Sequence, residues 1–277
     1  EGDVSAFATL CTTMAADIGT GSIVGVATAL RIGGPGSLFW MWISAILGMV
    51  TKYSESLLAV KYRVTDENNQ MAGGPMFYIQ NGMGERFIWL AKIFSVFGIC
   101  TALFGCGTFP QVNAITESVN VTFHIPIIVA GVIITVLTAV VTIGGIKSIS
   151  KVAEIVVPIM ALTFLGGSVV ALVINRVAVP DAFKTIFTCA FAKESVIGGT
   201  AGTGVITFMT VMRTGVARGV YTNEAGLGSS PIVAAAAKTN SGVRQGLLSM
   251  TSVFVTTILT CSMTGLVIIS SGLMDSS

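Results

Sequence analysis

Of 277 residues, 53% are hydrophobic and only 10% are charged, and the formal net charge is +2. Ordinary soluble domains carry roughly 25% charged residues, so a water-soluble globule is excluded, and a charge so near neutral gives no case for nucleic acid. His124 is the one histidine, and the cysteines (Cys11, Cys100, Cys106, Cys189 and Cys261) are scattered, which makes neither a metal-ligand spacing nor a disulfide framework. A helix that crosses a bilayer needs about 20 apolar residues, and seven stretches qualify, near residues 7–30, 37–60, 87–109, 125–143, 155–174, 202–237 and 247–272. The chain therefore reads as an all-α polytopic protein of the lipid bilayer.

The first stretch is interrupted. Residues 16–25 read A-D-I-G-T-G-S-I-V-G, with Gly19, Thr20, Gly21 and Ser22 in succession. Glycine costs about 1 kcal/mol against alanine inside a helix, and serine and threonine bond to nearby backbone. The pattern predicts a helix broken near the middle of the membrane. Unpaired peptide groups at that depth are tolerated where they line a cavity or hold a ligand, and transporters use such breaks to grip anionic groups and coupling ions.

Further along, residues 65–71 read as a polar loop, and Gly73-Gly74-Pro75 opens a short amphipathic stretch. Residues 181–191 place Phe183, Phe187 and Phe191 at i, i+4 and i+8, which predicts a helix on the membrane surface or packed over the bundle. Lysine and arginine favour cytoplasmic loops. Lys52, Lys61, Arg63, Arg86, Lys92, Lys147, Lys151, Lys238 and Arg244 fall on one side, against Arg31, Arg176, Lys184 and Lys193 on the other. A multi-pass protein of the cell membrane with a cytoplasmic amino terminus is expected.

The sixth stretch is too long and too polar for one helix. Residues 222–231, T-N-E-A-G-L-G-S-S-P, combine a carboxylate, an amide, two glycines and a proline beside an apolar run. Charged groups inside a membrane usually face a cavity and carry function, so this is a second predicted break. Five spans separate the two breaks, which makes their helices antiparallel, as an inverted five-span repeat requires. Residues 1–176 would form the first repeat and 177–277 the start of the second. An opening without Met and an end just after the seventh span suggest a piece of a longer protein with about three more spans.

At these residues a resemblance becomes specific. The run Gly33-Gly34-Pro35-Gly36-Ser37-Leu38-Phe39-Trp40-Met41-Trp42-Ile43, on to Gly48, and the run G-V-A-R-G-V-Y-T-N-E-A-G-L-G-S-S-P at 215–231 resemble the two signatures of the alanine or glycine:cation symporter family. Lys52-Tyr53-Ser54-Glu55 and Gly73-Gly74-Pro75-Met76 fit as well, so the likeness covers essentially the whole chain. It implies a LeuT-type inverted-repeat fold, here truncated after about seven spans, and sodium-coupled symport of alanine or glycine by alternating access. Sodium would be the coupling ion, with no other cofactor, and a monomer is expected. Ser22 stands where the family commonly has Asn. LeuT-type ion sites usually draw hydroxyls from an eighth span, which lies outside this chain.

The resemblance assigns substrate and ion to Thr20 and Gly21, and substrate to Gln111, Thr222 and Asn223; the chemistry of the residues themselves adds Ser22 to the substrate contacts and Ala16, Asp17 and Gly19 to the ion contacts. Sodium takes oxygen ligands as other hard cations do, and carbonyls near Ala16–Gly19 with the Thr20 and Ser22 hydroxyls could supply them. The substrate carboxylate suits the N–H groups after Gly21, at a positive helix end. Its ammonium suits carbonyls or the side-chain oxygens of Gln111 and Asn223. Asp17 could be an ion ligand, a protonatable group or a partner of Arg213 or Arg218. Glu224 and Arg218 are expected as gate or structural charges, and Lys52 and Glu55 as gate or interface charges. Gly21 and Gly25 also make a small-xxx-small pair that could pack helices tightly. Proton coupling is the alternative reading. A serine protease would need a serine–histidine pair, and Ser22 near the midplane and His124 at a boundary are poorly placed for one. A channel would need a filter ring or continuous polar pore, and the glycines at 199–204 lack the preceding strand of a nucleotide site.

Overall fold

A computed structural model describes residues 2–104, 107–192, 194–197 and 204–272. Cys106, Lys193, residues 199–203 and thus residue 202, where the sixth stretch begins, lie outside them.

Helix α1 (Ala6–Asp17) begins under a Ser5 cap, whose Oγ accepts the Ala8 N–H at 3.0 Å. It stops where Gly19 enters. A π-helical turn at Gly21–Gly25 then leads into α2 (Val26–Gly33), and the two arms are bent by 49°. The first predicted break is present. Gly34-Pro35-Gly36 turns the chain into α3 (Ser37–Lys61), 25 residues long, or about 37 Å at 1.5 Å per residue. That is enough to cross the hydrocarbon core of about 30 Å.

The polar loop expected at 65–71 is the tip of a small antiparallel pair, β1 (Val64–Thr65) with β2 (Met71–Ala72). Asp66 Oδ1 ties the turn by accepting the N–H groups of Asn68 and Gln70 at 2.9 and 2.7 Å. Pro75 opens the short helix α4 (Pro75–Met83). Then follow α5 (Ile88–Leu103), α6 (Thr108–Phe123), α7 (Ile127–Ile143) and α8 (Gly145–Ile174), with α9 (Val179–Phe191) where the phenylalanine stripe was expected.

Two departures from the sequence reading have physical causes. The segment 108–123, most of it beyond the expected third span, is helical, and Pro110 does not prevent this because it sits in the first turn, where the missing N–H costs nothing. Helix α8 starts ten residues ahead of the expected boundary, since the charged residues 147–154 continue the helix on an amphipathic pattern. The sixth stretch is broken, as its length and polarity predict, into α10 (Phe208–Asn223) and α11 (Ser229–Ala235). An antiparallel pair, β3 (Glu194–Ile197) with β4 (Gly204–Thr207), precedes them, so a strand does stand ahead of the glycines at 199–204, against the sequence reading. The seventh runs as α12 (Gly242–Val253), a π-helical segment Phe254–Cys261 and α13 (Ser262–Ser270). Among the described residues, four helices are long and apolar enough to cross a membrane, or five with the bent pair as one span; Ile127–Ile143 is shorter.

The chain forms two compact units built from interleaved segments. One comprises Glu1–Thr12, Glu55–Val156 and Gly228–Gly246. In it the Arg63 guanidinium closes the carboxyl end of α11, donating from Nη1 to the Ala235 and Ala237 carbonyls and from Nη2 to that of Thr239, each at 2.8 Å. Val4 pairs alongside Ala237 as an isolated bridge.

The other unit comprises Thr13–Ser54, Val157–Leu227 and Leu247–Ser277. Its apolar core joins Val26, Ala29, Leu30, Leu38, Met41, Ala182, Ile186, Cys261 and Leu266. On α9 the buried face is Ala182, Ile186 and Ala190, while Phe187 and Phe191 pack edge-on against Phe39. Trp40 and Trp42 are packing residues here; their indole N–H groups donate to the Ala190 carbonyl at 3.1 Å and to Ser262 Oγ at 2.7 Å.

One close helix contact in this unit is made by Gly215 and Gly219. A Cβ on Gly215 would stand 2.3 Å from the Ser37 carbonyl, and one on Gly219 would stand 2.7 Å from Ser44 Oγ. This is the small-xxx-small device, and it lies on α10 against α3. The pair named from sequence does not pack this way: a Cβ on Gly21 would meet nothing nearer than 3.5 Å, and one on Gly25 nothing nearer than 3.8 Å.

Candidate functional site

The first break is closed by one residue. The Ser22 N–H donates to the Gly19 carbonyl at 3.1 Å, and its hydroxyl donates to the Asp17 carbonyl at 3.0 Å. Ser22 thus satisfies two carbonyls that the interruption leaves without helical partners, and it is fully buried. Thr20 starts the π-helical turn and is half-buried, as are Gly19 and Gly21, whereas Ala16 is exposed. A Cβ on Gly21 would lie 3.5 Å from the Tyr221 ring and 3.7 Å from Thr222 Oγ1. The first break therefore faces the end of α10.

Helix α10 ends on side-chain chemistry. The Thr222 hydroxyl donates to the Arg218 carbonyl at 2.8 Å, and Asn223 Oδ1 accepts the Ala225 N–H at 3.1 Å. Glu224 follows in the left-handed conformation (φ 51°), its N–H still donating to the Val220 carbonyl, and Gly226 and Gly228 (φ 85° and 81°) carry the chain out of the helix. Asn223 is fully buried, and its Nδ2 donor has no partner among the described residues. This is the second predicted break.

Lys52 joins the two. From inside α3 its ammonium donates to Asp17 Oδ2 at 2.9 Å, to Asp17 Oδ1 at 3.2 Å and to the Asn223 carbonyl at 2.7 Å. Neither side chain has any exposure. A buried charge is tolerable only when paired and hydrogen-bonded, and here both conditions are met. This corrects two expectations. Lys52 is not a charge of an exposed loop, and the partner of Asp17 is neither Arg213 nor Arg218. Those two arginines line an open groove of about 540 Å³ with Ile32, Thr210, Thr214, Ala217 and Tyr221. The Arg218 guanidinium sits 5.9 Å over the Tyr221 ring.

Sequence reasoning missed a wall of the site. Ser252, Thr256, Thr260 and Thr264 are all buried, at a spacing of four along the seventh stretch. In a regular α-helix each four-residue step overshoots a turn by about 40°, and the stripe would wind away. The wider π-helical turns of Phe254–Cys261 take up that drift. At one end Ser252 faces the Asp17 carboxylate. Nearer the other, Cys261 faces the Ser22 and Thr222 hydroxyls, and the Thr264 hydroxyl shares its proton between the Ser22 carbonyl at 2.9 Å and that of Thr260 at 3.0 Å. The four-residue spacing was the signal available in the sequence.

Of the residues named from sequence, Asp17, Ser22, Thr222 and Asn223 come together in one unit with Gly19, Thr20, Gly21, Arg218 and Glu224. Gln111 is half-buried on α6 of the other unit.

Comparison with known proteins adds an independent line. The profile of the sodium:alanine symporter family matches residues 1–277. The chain is 46% identical over 275 residues to a sodium/alanine symporter of Methanococcus maripaludis, covering 99% of this chain and 59% of that protein. It is 53% identical over 272 residues to an uncharacterized transporter of Haemophilus influenzae, covering 98% and 59%. A probable sodium/glutamine symporter of Bacillus subtilis is 34% identical over 272 residues, covering 98% and 54%. The chain thus spans a little over half the length of the curated relatives it matches.

Proposed function

The chain belongs to the sodium:alanine symporter family, and from that premise we propose that its joined breaks form the seat of sodium-coupled uptake of a small neutral amino acid, alanine or glycine. Its family and relatives are transporters and not enzymes. The observation that carries the reading is the meeting of the two interrupted helices, Asp17–Ser22 on one side and Thr222–Asn223 on the other, in one buried polar cluster.

In this reading the substrate carboxylate lies against the N–H groups that begin at Gly21, where the helix dipole is positive. The unpartnered Asn223 Nδ2 is a further donor for that carboxylate. Carbonyls of the 16–20 segment and the Thr20 hydroxyl offer sodium the oxygen set that a hard cation takes. Gly21 leaves room for a short substrate side chain, while the relative named for glutamine cautions that outlying parts of the pocket set the size limit. The same reading takes the helices as a LeuT-type inverted repeat, 1–176 followed by the start of a second from 177, with the amino terminus cytoplasmic and alternating access as the transport cycle.

The test is uptake of radiolabelled alanine, glycine and glutamine by the full-length protein in proteoliposomes, with and without a sodium gradient. Saturable uptake of alanine or glycine that requires sodium is expected, with Asn223→Ala raising the half-saturating substrate concentration about tenfold, the loss of one hydrogen bond to a charged group. Uptake that follows a proton gradient and ignores sodium would replace sodium by protons. No saturable uptake at all would remove the transport reading.

A further inference from the structure

We propose that the Lys52 ammonium is a resident cation: it fills an oxygen site that would otherwise hold a monovalent metal ion. The inference rests on the sodium-coupled reading above and goes beyond it, because it concerns a charge that stays with the protein and never travels with substrate.

The acceptors are those of a cation site. Two carboxylate oxygens of Asp17 and the carbonyl of Asn223 surround Nζ at 2.7–3.2 Å. Ser252 Oγ faces the same carboxylate, and the Glu224 charge acts on it as well. Asn223 is the last residue of α10, so its carbonyl stands at the negative end of the helix dipole. A carboxylate and a helix carboxyl end, both wholly buried, are balanced here by one positive charge. A mobile ion would leave with the cargo, but an ammonium on a four-carbon stem cannot. The tether also explains why Asp17, although beside the first break, does not present a bare carboxylate to the coupling ion. Lys52 is thus a positioning residue. It holds the two breaks together and fixes the number of mobile cations by occupying one place itself.

Truncating the tether tests this. In Lys52→Ala the carboxylate and the carbonyl remain and the ammonium is gone, so the place becomes a metal site. The full-length variant in proteoliposomes should show a steeper sodium dependence of uptake, its Hill coefficient higher by about one than that of the unaltered protein. Propylammonium chloride, which restores the missing headgroup, should return the curve to the original steepness. In detergent without substrate, sodium and propylammonium should each raise the melting temperature of Lys52→Ala by more than they raise that of the unaltered protein, and Asp17→Asn in the same chain should abolish the extra rise. A Lys52→Ala protein whose sodium curve and melting temperature match the unaltered protein, with or without propylammonium, overturns the inference.

If Lys52→Ala fails to fold, Asp17→Asn/Lys52→Met takes its place. The inference expects this neutral pair to fold with the original sodium steepness; a changed steepness or a failure to fold overturns it. Absence of sodium-dependent uptake in the unaltered protein would strike the transport reading instead, and the melting arm would still decide the cation site.

Discussion

Gly145–Ile174 and Gly242–Ser270 are both helical runs long and apolar enough to cross a membrane, yet 6% of the first run's most apolar window is buried and 50% of the second's. The first turns Ile155, Ile159, Leu162, Val170 and Val173 outward. The second buries Ser252, Thr256, Thr260 and Thr264. In water apolar content decides which helix is covered, but lipid chains are as apolar as leucine and give no such drive. What places a helix inside a membrane protein is polar groups that need partners and small residues that allow close approach. Of these two helices the covered one is accordingly the one that carries the hydroxyl stripe.

That contrast can be broken most severely at the buried Lys52–Asp17 pair. Asp17→Ala would strand the Lys52 ammonium without a counter-ion and is expected to cost about 3–5 kcal/mol, read as a loss of folded protein or a lowered denaturation midpoint in detergent. A charge-removing change on the outer helix, such as Lys151→Ala, should leave the midpoint within about 0.5 kcal/mol. Next in size is a matched pair of glycines. Gly219→Ala drives a methyl to 2.7 Å from Ser44 Oγ and should cost about 1–3 kcal/mol as overpacking. Gly166→Ala on α8 meets nothing within 4 Å and should be neutral or stabilise by up to about 1 kcal/mol. Equal effects at the two positions would contradict the inner and outer assignment. The smallest effect sharpens the contrast. Thr264→Val removes the hydroxyl that reaches the Ser22 carbonyl and should cost about 0.6 kcal/mol, the mean for hydrogen bonds between membrane helices. Thr163→Val loses only a bond to its own helix at Ile159 and should not shift the midpoint measurably.

Much of the site was legible because breaks are local events. The glycines at 19 and 21, and the sequence Asn223-Glu224 followed by Gly226 and Gly228, disrupt helices through their own backbone preferences, and both interruptions occur where the residues predict them. The bilayer-length stretch at 37–60 was legible for the same kind of reason, since its apolar length is a property of the segment. Lys52 was not legible. A lysine near the end of an apolar run reads as a loop charge, and its acceptors lie 35 and 171 residues away in sequence. The Gly215 and Gly219 contact was overlooked because G-x-x-x-G in a polar helix looks no different from the Gly21 and Gly25 pair until a facing helix is present. The hydroxyl stripe was written in the spacing from Ser252 to Thr264, but its inward direction depends on the π-helical turns that straighten it.

By itself the sequence determined the membrane class, the two helix interruptions and the family, because each is carried by the composition or order of residues within short segments. Tertiary structure alone decided which charges meet, which glycines touch a neighbour and which hydroxyls face inward. Those outcomes depend on distances between segments far apart in the chain. In a membrane they follow from the need to satisfy every buried polar group, which no single segment can meet alone.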